Sequence, residues 1–345
     1  MSKFASLLIV IFVFAATSTA NAQTAPKKAT PDDKIKRITD KMQNKQTYKL
    51  AYKLKKGEEL KYSTSQSVTT KVQGGGVTEE SASRSTSTST WKVINVDRLG
   101  NITFSLTRDA IDMWTKTQIV PVDPNEPPVE PVSYNSETDK EVPDLYKQVA
   151  ESVGQTLAVF SIAPNGKVLN RQSNLPESDF GIGKVTIPLP EQPVPIGFVW
   201  RVKTILHAND DNGKSIQLKA HIRYELANVT GQKAFLRFRT ETLTRITSEK
   251  VRSTVMQKMT KGEIAFDMEN GRQIMKQVRW NEKAQGFAGD DSLLQFVGKM
   301  TDKSVSSSGG GNAGQTAGLL APIQDRVGSK PVDIKTRDGK PILRK

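Results

Sequence analysis

One strand pattern occurs twice along this chain, so a fold that accommodates it must be built from two similar parts. The first copy opens with Leu54, Gly57, Leu60 and Tyr62, the second with Pro195, Gly197, Trp200 and Val202. In both, large apolar residues stand three and five positions after a glycine, the period-two spacing of a half-buried strand. Next come Trp91, Val93, Asn95 and Val96, matched by Tyr224, Leu226, Asn228 and Val229. Glycine turns follow at Gly100 and Gly231, and the return strands carry Ile102, Phe104 and Leu106 against Ala234, Leu236 and Phe238. Each copy ends in an Asn-Gly pair, Asn165-Gly166 and Asn270-Gly271, a strong hairpin signal because both residues tolerate positive φ. The pattern predicts a mainly β protein: two similar antiparallel β modules, packed as a sandwich or as paired half-barrels, with a few short peripheral helices.

The copies sit in segments of different character. Residues 1–22 have the form of a signal peptide, with Lys3 before the apolar run Phe4–Ala16 and small residues Ala20 and Ala22 at the cleavage site. That run is shorter than the roughly 20 apolar residues a membrane span needs. An exported mature chain, periplasmic or extracellular, is the expectation. The segment 23–47 is basic, and Ile35, Ile38 and Met42 give it partial helical periodicity. The first module covers 48–172 and differs from the second by a proline-rich insertion over 119–143, which predicts an extended surface loop. A short helix is expected from Pro143 to Leu157, with Leu145, Val149 and Val153 on one face.

A turn-rich linker over 173–194 leads into the second module, 195–290. The spacing of Leu293, Leu294, Phe296, Val297 and Met300 predicts a C-terminal helix within 291–303, and 304–345 reads as a disordered basic tail opening on a Ser/Gly run.

The absence of cysteine matters in an exported chain. Disulfides would form there, so the protein must be held together by burial, and thiolate metal sites and cysteine nucleophiles are excluded. The net charge of +14 is concentrated at both ends and in the second half, which favours long-range attraction to polyanions. Alternation places Arg237 and Arg239 opposite Leu236 and Phe238, with Arg223 on a neighbouring strand, as a candidate polyanion-binding face. It lacks the interleaved exposed aromatics of single-strand binders, so nucleic acid is not the expected partner.

Nothing in the spacing nominates a catalytic group. The histidines, His207 and His221, lack a third ligand for a metal. No nucleophile elbow or phosphate-cradling loop occurs, and no cofactor is implied. Asp210 to Gly213 is a turn rather than a calcium loop. The run Ser81–Thr90 carries hydroxyls on both faces and suggests a solvated edge strand or, as the alternative, a strand lining a wet groove where carbohydrate would make contact. Trp91, Trp200 and Tyr224, with Phe104 and Phe238, belong either to a core or to a ligand groove.

These landmarks together resemble uncharacterised secreted bacterial proteins with a duplicated β module, in which a signal peptide precedes a Tyr- or Trp-centred strand, a glycine turn and a late Asn-Gly or Asp-Gly hairpin. Here the resemblance rests on Tyr48–Tyr62, Trp91–Leu106, Asn165-Gly166 and their partners in 195–280. It implies the fold and an exported location, and it transfers no site residue. The expected function is a non-enzymatic envelope binding protein that carries a lipid or other apolar ligand. The alternative is an interaction protein that holds polyanionic envelope polymers through its basic second half and tails.

Overall fold

The computed structural model describes residues 46–120, 129–173, 185–210 and 212–305. Residues 1–22, read as a signal peptide, nearly all of the basic leader and nearly all of the C-terminal tail therefore lie outside the described residues. Strands β2 (Glu59–Gly74), β3 (Val77–Val96), β4 (Ile102–Val120), β5 (Val132–Asn135), β6 (Thr156–Ile162) and β7 (Val168–Gln172) come from the first half. The second half supplies β9 (Val199–Asn209), β10 (Ser215–Thr230), β11 (Lys233–Thr242), β12 (Lys261–Asp267), β13 (Arg272–Gln285) and β14 (Leu293–Val305). A separate pair of two-residue strands, β1 (Thr47–Tyr48) and β8 (Val194–Pro195), ties the two chain connections together.

The duplication is visible residue by residue in the strand register. Leu60 pairs with Trp91 and Trp91 with Leu106; at the matching places Trp200 pairs with Tyr224 and Tyr224 with Phe238. A β-bulge interrupts the ladder between Val93 and Asn95, and again between Leu226 and Asn228. The entry turns also coincide. Gly57 donates its N–H to the Val93 carbonyl at 2.9 Å, and Gly197 donates to that of Leu226 at 2.8 Å. Bulges add one unpaired residue and sharpen the twist, so two matched bulges bend the two meanders at matched levels.

The modules are not separate sheets. One twelve-stranded sheet runs in the order β7-β6-β4-β3-β2-β14-β13-β12-β11-β10-β9, with β5 beside β4. The seam between halves is the β14–β2 ladder, which pairs Leu293 with Gln73 and continues to Val305 with Lys61. The sheet does not close into a barrel; β7 and β9 end its order. The inner faces of both halves meet in one buried cluster, which includes Phe104, Phe160, Leu226, Leu236 and Phe266. This is a sandwich-like core whose two faces belong to one sheet.

The C-terminal helix expected over 291–303 is instead strand β14. Its buried side chains are Phe296, Met300 and Asp302, spaced for a strand, while Val297 is exposed. Gly298 occupies an inward position. A Cβ there would stand 3.1 Å from both Trp280 and Val68, so neighbouring side chains fill the space. A glycine and an aspartate on the buried face erased the alternation, leaving an apparent helical stripe. Without β14, the facing edges of β2 and β13 would leave their backbone groups unpaired, and that decides the conformation.

Other expectations also change. The proline-rich insertion is partly strand, because β4 extends to Val120 and β5 returns on it, Thr115 facing Val132 and Asp112 facing Asn135; residues 121–128 lie outside the described part. The helix expected from Pro143 to Leu157 shrinks to a 3-10 turn at Asp144–Tyr146 and one α turn at Lys147–Ala150. Here Tyr146 is the buried residue, and Leu145 is exposed. The Ser/Thr run is not at an edge, since β3 lies between β2 and β4.

A helix at Glu249–Val255 was not expected within the second module. Ser248 caps it, its side chain accepting the Val251 N–H at 3.3 Å. The described part of the linker is a structural strap, burying Val185, Ile187 and Leu189. A second strap buries Leu50, Tyr52 and Leu54. The two are joined where the Ile187 N–H donates to the Tyr52 hydroxyl at 3.0 Å.

Candidate functional site

Alternation sends a layer of side chains from successive strands onto the inner face, and above the core this layer leaves a cavity of about 500 Å³. Ile222 and Tyr224 come from β10, Phe238 and Thr240 from β11, and Ile264 from β12. Val278 and Trp280 come from β13, Met300 from β14 and Gln66 from β2. The strap contributes Thr186 and Ile187, and β9 contributes Leu206.

The other wall is built by the turn that follows helix Glu249–Val255. Val251 and Val255 pack with Leu206, Ala208, Leu218 and Ala220, while Met256 packs with Ala284 and Phe296. The helical segment thus reaches from the β9–β10 side to the β13–β14 side. Three hydrogen bonds hold its exit. Trp280 Nε1 donates to the Gln257 carbonyl at 2.8 Å, Lys258 Nζ to the His207 carbonyl at 2.7 Å, and the Thr240 and Thr260 hydroxyls are 3.0 Å apart. Gln257 and Lys258 line the cavity and are exposed, so the mouth lies beside them.

Of the aromatic candidates, Tyr224 lies in the cavity wall, and burial pushes its phenol well above the usual range. Trp91 does not reach it. That ring is buried between Tyr62 and Phe104, with centroids 4.9 and 4.7 Å away, and belongs to the core. Trp200 is half-buried, stacks on Tyr224 at 5.5 Å, and donates its indole N–H to the Pro188 carbonyl at 2.8 Å.

The arginine face is electrically mixed. Arg223 lies 3.0 Å from Glu225, Arg237 3.8 Å from Glu263 and Arg239 2.5 Å from Glu241. Each guanidinium has a carboxylate beside it, which lowers the field available to a polyanion. His221 also bonds Glu241, and this contact, with Arg239, holds the glutamate below the usual carboxylate range. His207 is exposed on the edge strand β9. Among the described residues no cluster of three His, Asp or Glu could hold a metal ion, and no helix is long and apolar enough to cross a membrane.

Two features of the site escaped the sequence. The wall residues come from many strands, so no local motif announces them. Lys276 could have been found: it precedes Val278 and Trp280 at strand spacing, which places a lysine on an apolar face. It is buried, and it lines the cavity. In the ladder it pairs with Asp302, which faces Thr64 across the seam. The Asp302 carboxylate accepts from Thr64 Oγ1 at 3.0 Å and from Gln273 Nε2 at 2.7 Å.

Burial pushes the Asp302 carboxyl above its ordinary 3.8, and Lys276 and the two hydrogen bonds oppose that shift. The folded state therefore binds this proton more tightly than the unfolded chain. Stability from this group falls as pH rises from about 3.8 through the folded value, then levels off. Denaturant titrations of wild type and Asp302→Asn across that range should show the wild type losing ground with rising pH. A constant difference between the two would contradict the linkage.

No protein-family model matches the chain, and no curated protein does. Among solved structures, one reporting lipid–protein interactions in lipovitellin is similar over 75% of this chain, with 8% identity and a TM-score of 0.43. This chain spans 26% of the lipovitellin chain. A DUF1329 family protein from Desulfovibrio piger is similar over 68% of this chain and 83% of its own, with 11% identity and a TM-score of 0.13. Both likenesses are too remote to bear on the chemistry of the cavity.

Proposed function

We propose that this is an exported, non-enzymatic binding protein of the cell envelope that carries a single-chain apolar ligand in the cavity walled on one side by the turn after the Glu249–Val255 helix. One observation carries the proposal: about 500 Å³ of space walled mainly by Ile222, Tyr224, Phe238, Ile264, Val278 and Met300. That volume falls in the range of small-molecule sites, and the mixture of apolar walls with a few polar groups is the usual composition of such a site. Burying a ligand chain there gains about 25 cal/mol for each Å² of apolar surface removed from water.

Native mass spectrometry of the protein purified from its own envelope fraction should show a co-purifying lipid. Ile222→Trp, which fills the cavity from its wall, should release that lipid and abolish binding of a fluorescent fatty acyl probe while the thermal transition stays cooperative. A wild-type protein that carries no lipid and does not bind the probe would overturn the proposal.

A further inference from the structure

The strand register aligns six cations in one row across the second half of the sheet. Arg201 on β9 pairs with Arg223 on β10, Arg223 with Arg239 on β11, and Arg239 with Lys261 on β12. Lys261 then pairs with Arg279 on β13, and Arg279 with Lys299 on β14. Directly paired residues share a face of the sheet. Phe238, Val278 and Met300, each one position from the row on its strand, point into the core, so the row lies on the outer face. With neighbouring strands about 4.8 Å apart, it is roughly 24 Å long.

Like charges set directly opposite one another destabilise a sheet, and the carboxylates nearby answer only part of this row. Glu225 and Glu241 stand beside Arg223 and Arg239, while Glu263 stands beside Arg237, outside the row. Glu282 feels the charge of Lys261 without forming an ion pair. Among the described residues, Arg201, Lys261, Arg279 and Lys299 have no ion-pair partner, although Arg279 donates to the Gln277 side chain at 3.2 Å. Arg201, Lys261 and Lys299 are exposed. Beyond the seam the row turns to hydroxyl: Lys299 pairs with Ser67, and Ser67 with Arg84. Ser65 and Thr86 pair with each other two positions along, and they too are exposed on this face.

We infer that the row is a docking track for a linear acidic polysaccharide, whose carboxylates meet the cations and whose sugar hydroxyls meet Ser65, Ser67 and Thr86. The track lies on the face opposite the cavity, and its occupancy does not depend on a carried ligand. A polyuronate has one carboxylate on every sugar, a spacing close to that between strands, and the planar fork of arginine matches a carboxylate. The sheet folds both halves onto one core, so its outer face is convex. A flexible chain can follow that curve, whereas a flat bilayer would meet only a few strands of it. No aromatic side chain interrupts the six cations, which removes the stacking platform of a single-stranded nucleic acid binder.

Fluorescence anisotropy of a labelled alginate oligosaccharide, a linear polyuronate, tests the track on the full chain. Wild type should bind it at low salt and lose affinity as salt rises, and a labelled neutral dextran should not bind. The double variant Lys261→Gln, Lys299→Gln should bind the oligosaccharide roughly tenfold more weakly, as expected for two exposed charge contacts. Its urea midpoint should hold or rise, because opposed like charges are removed. Lys55→Gln with Lys56→Gln takes the same charge from an exposed turn off the row, and should change affinity by no more than about twofold. No binding of the oligosaccharide, equal losses in the two double variants, or a fall in stability that accounts for the row variant's weaker binding would overturn the track. Tighter binding of a dT oligomer of equal charge, or of phosphatidylglycerol vesicles, would overturn its saccharide occupant. None of these results bears on lipid carriage, which the native mass measurement decides separately.

Discussion

Truncating Phe104 to alanine should destabilise the protein by about 3–5 kcal/mol, the usual cost of removing a fully buried phenylalanine. This ring is 0% exposed. It stacks between Trp91, 4.7 Å away, and Phe160, 5.6 Å away, in a row that begins at Tyr62 on β2 and crosses three further strands. Its loss removes dispersion contacts on both faces and leaves a void that β4 cannot collapse, because the strand is paired with β3 and β6 at that level. A domain's whole stability is only about 5–15 kcal/mol, so the variant should melt far below wild type. Phe198→Ala is the matched control. Phe198 stacks on Trp200 at 6.3 Å but is 37% exposed, and its removal should cost much less. Equal losses for the two variants, measured as urea midpoints at constant slope, would show that the row is not the centre of the core.

Phe104 also shows what was legible in the sequence. Its period-two context, its glycine turn and its counterpart Leu236 were readable because each depends on residues a few positions apart. The register confirms that correspondence down to the shared bulge. Long-range pairing was not legible in the same way. The strand character of β14 depends on what β2 and β13 lack rather than on what residues 293–305 contain. Its buried face includes Gly298 and Asp302, which look polar or neutral until Trp280 and Thr64 are seen against them. The Ser/Thr strand β3 was misplaced at an edge for a related reason. It carries hydroxyls on both faces because its upper part lies beyond the shared core, yet its backbone still pairs on both sides. Of the site, Tyr224 and Phe238 were named from their aromatic rings. Lys276 was missed, although its strand parity with Val278 and Trp280 places it on the inner face.

The Asn-Gly turns carry the other large effect, and here turn chemistry explains only part of it. Gly231, Gly166 and Gly271 all have positive φ, at 56°, 76° and 59°. Alanine in that conformation costs about 1–2 kcal/mol. At Gly231 nothing lies within 4 Å of an added Cβ, so Gly231→Ala should cost that and no more. At Gly166 the added carbon would stand 2.2 Å from the Ile187 carbonyl oxygen and 2.8 Å from the Tyr52 ring. At Gly271 it would stand 2.3 Å from the Lys53 nitrogen and 2.7 Å from the Ala51 oxygen.

Apart from the Tyr52 ring carbon, these are backbone atoms of the two straps, and both straps are held in place. Tyr52 donates its N–H to the Pro164 carbonyl at 2.7 Å, and Lys53 donates to that of Gly271 at 3.1 Å. Relieving either clash means lifting a strap, which would withdraw Tyr52 or Ile187 from the core. Gly166→Ala and Gly271→Ala should therefore each cost more than about 4 kcal/mol, in the range reserved for disrupted cores and strained backbone. Gly166→Ala should also weaken ligand binding, since Thr186 and Ile187 line the cavity. If all three glycine variants lose the same small amount in chemical denaturation, the straps yield freely. The turns would then be ordinary hairpin ends rather than the points that pin the straps into the core.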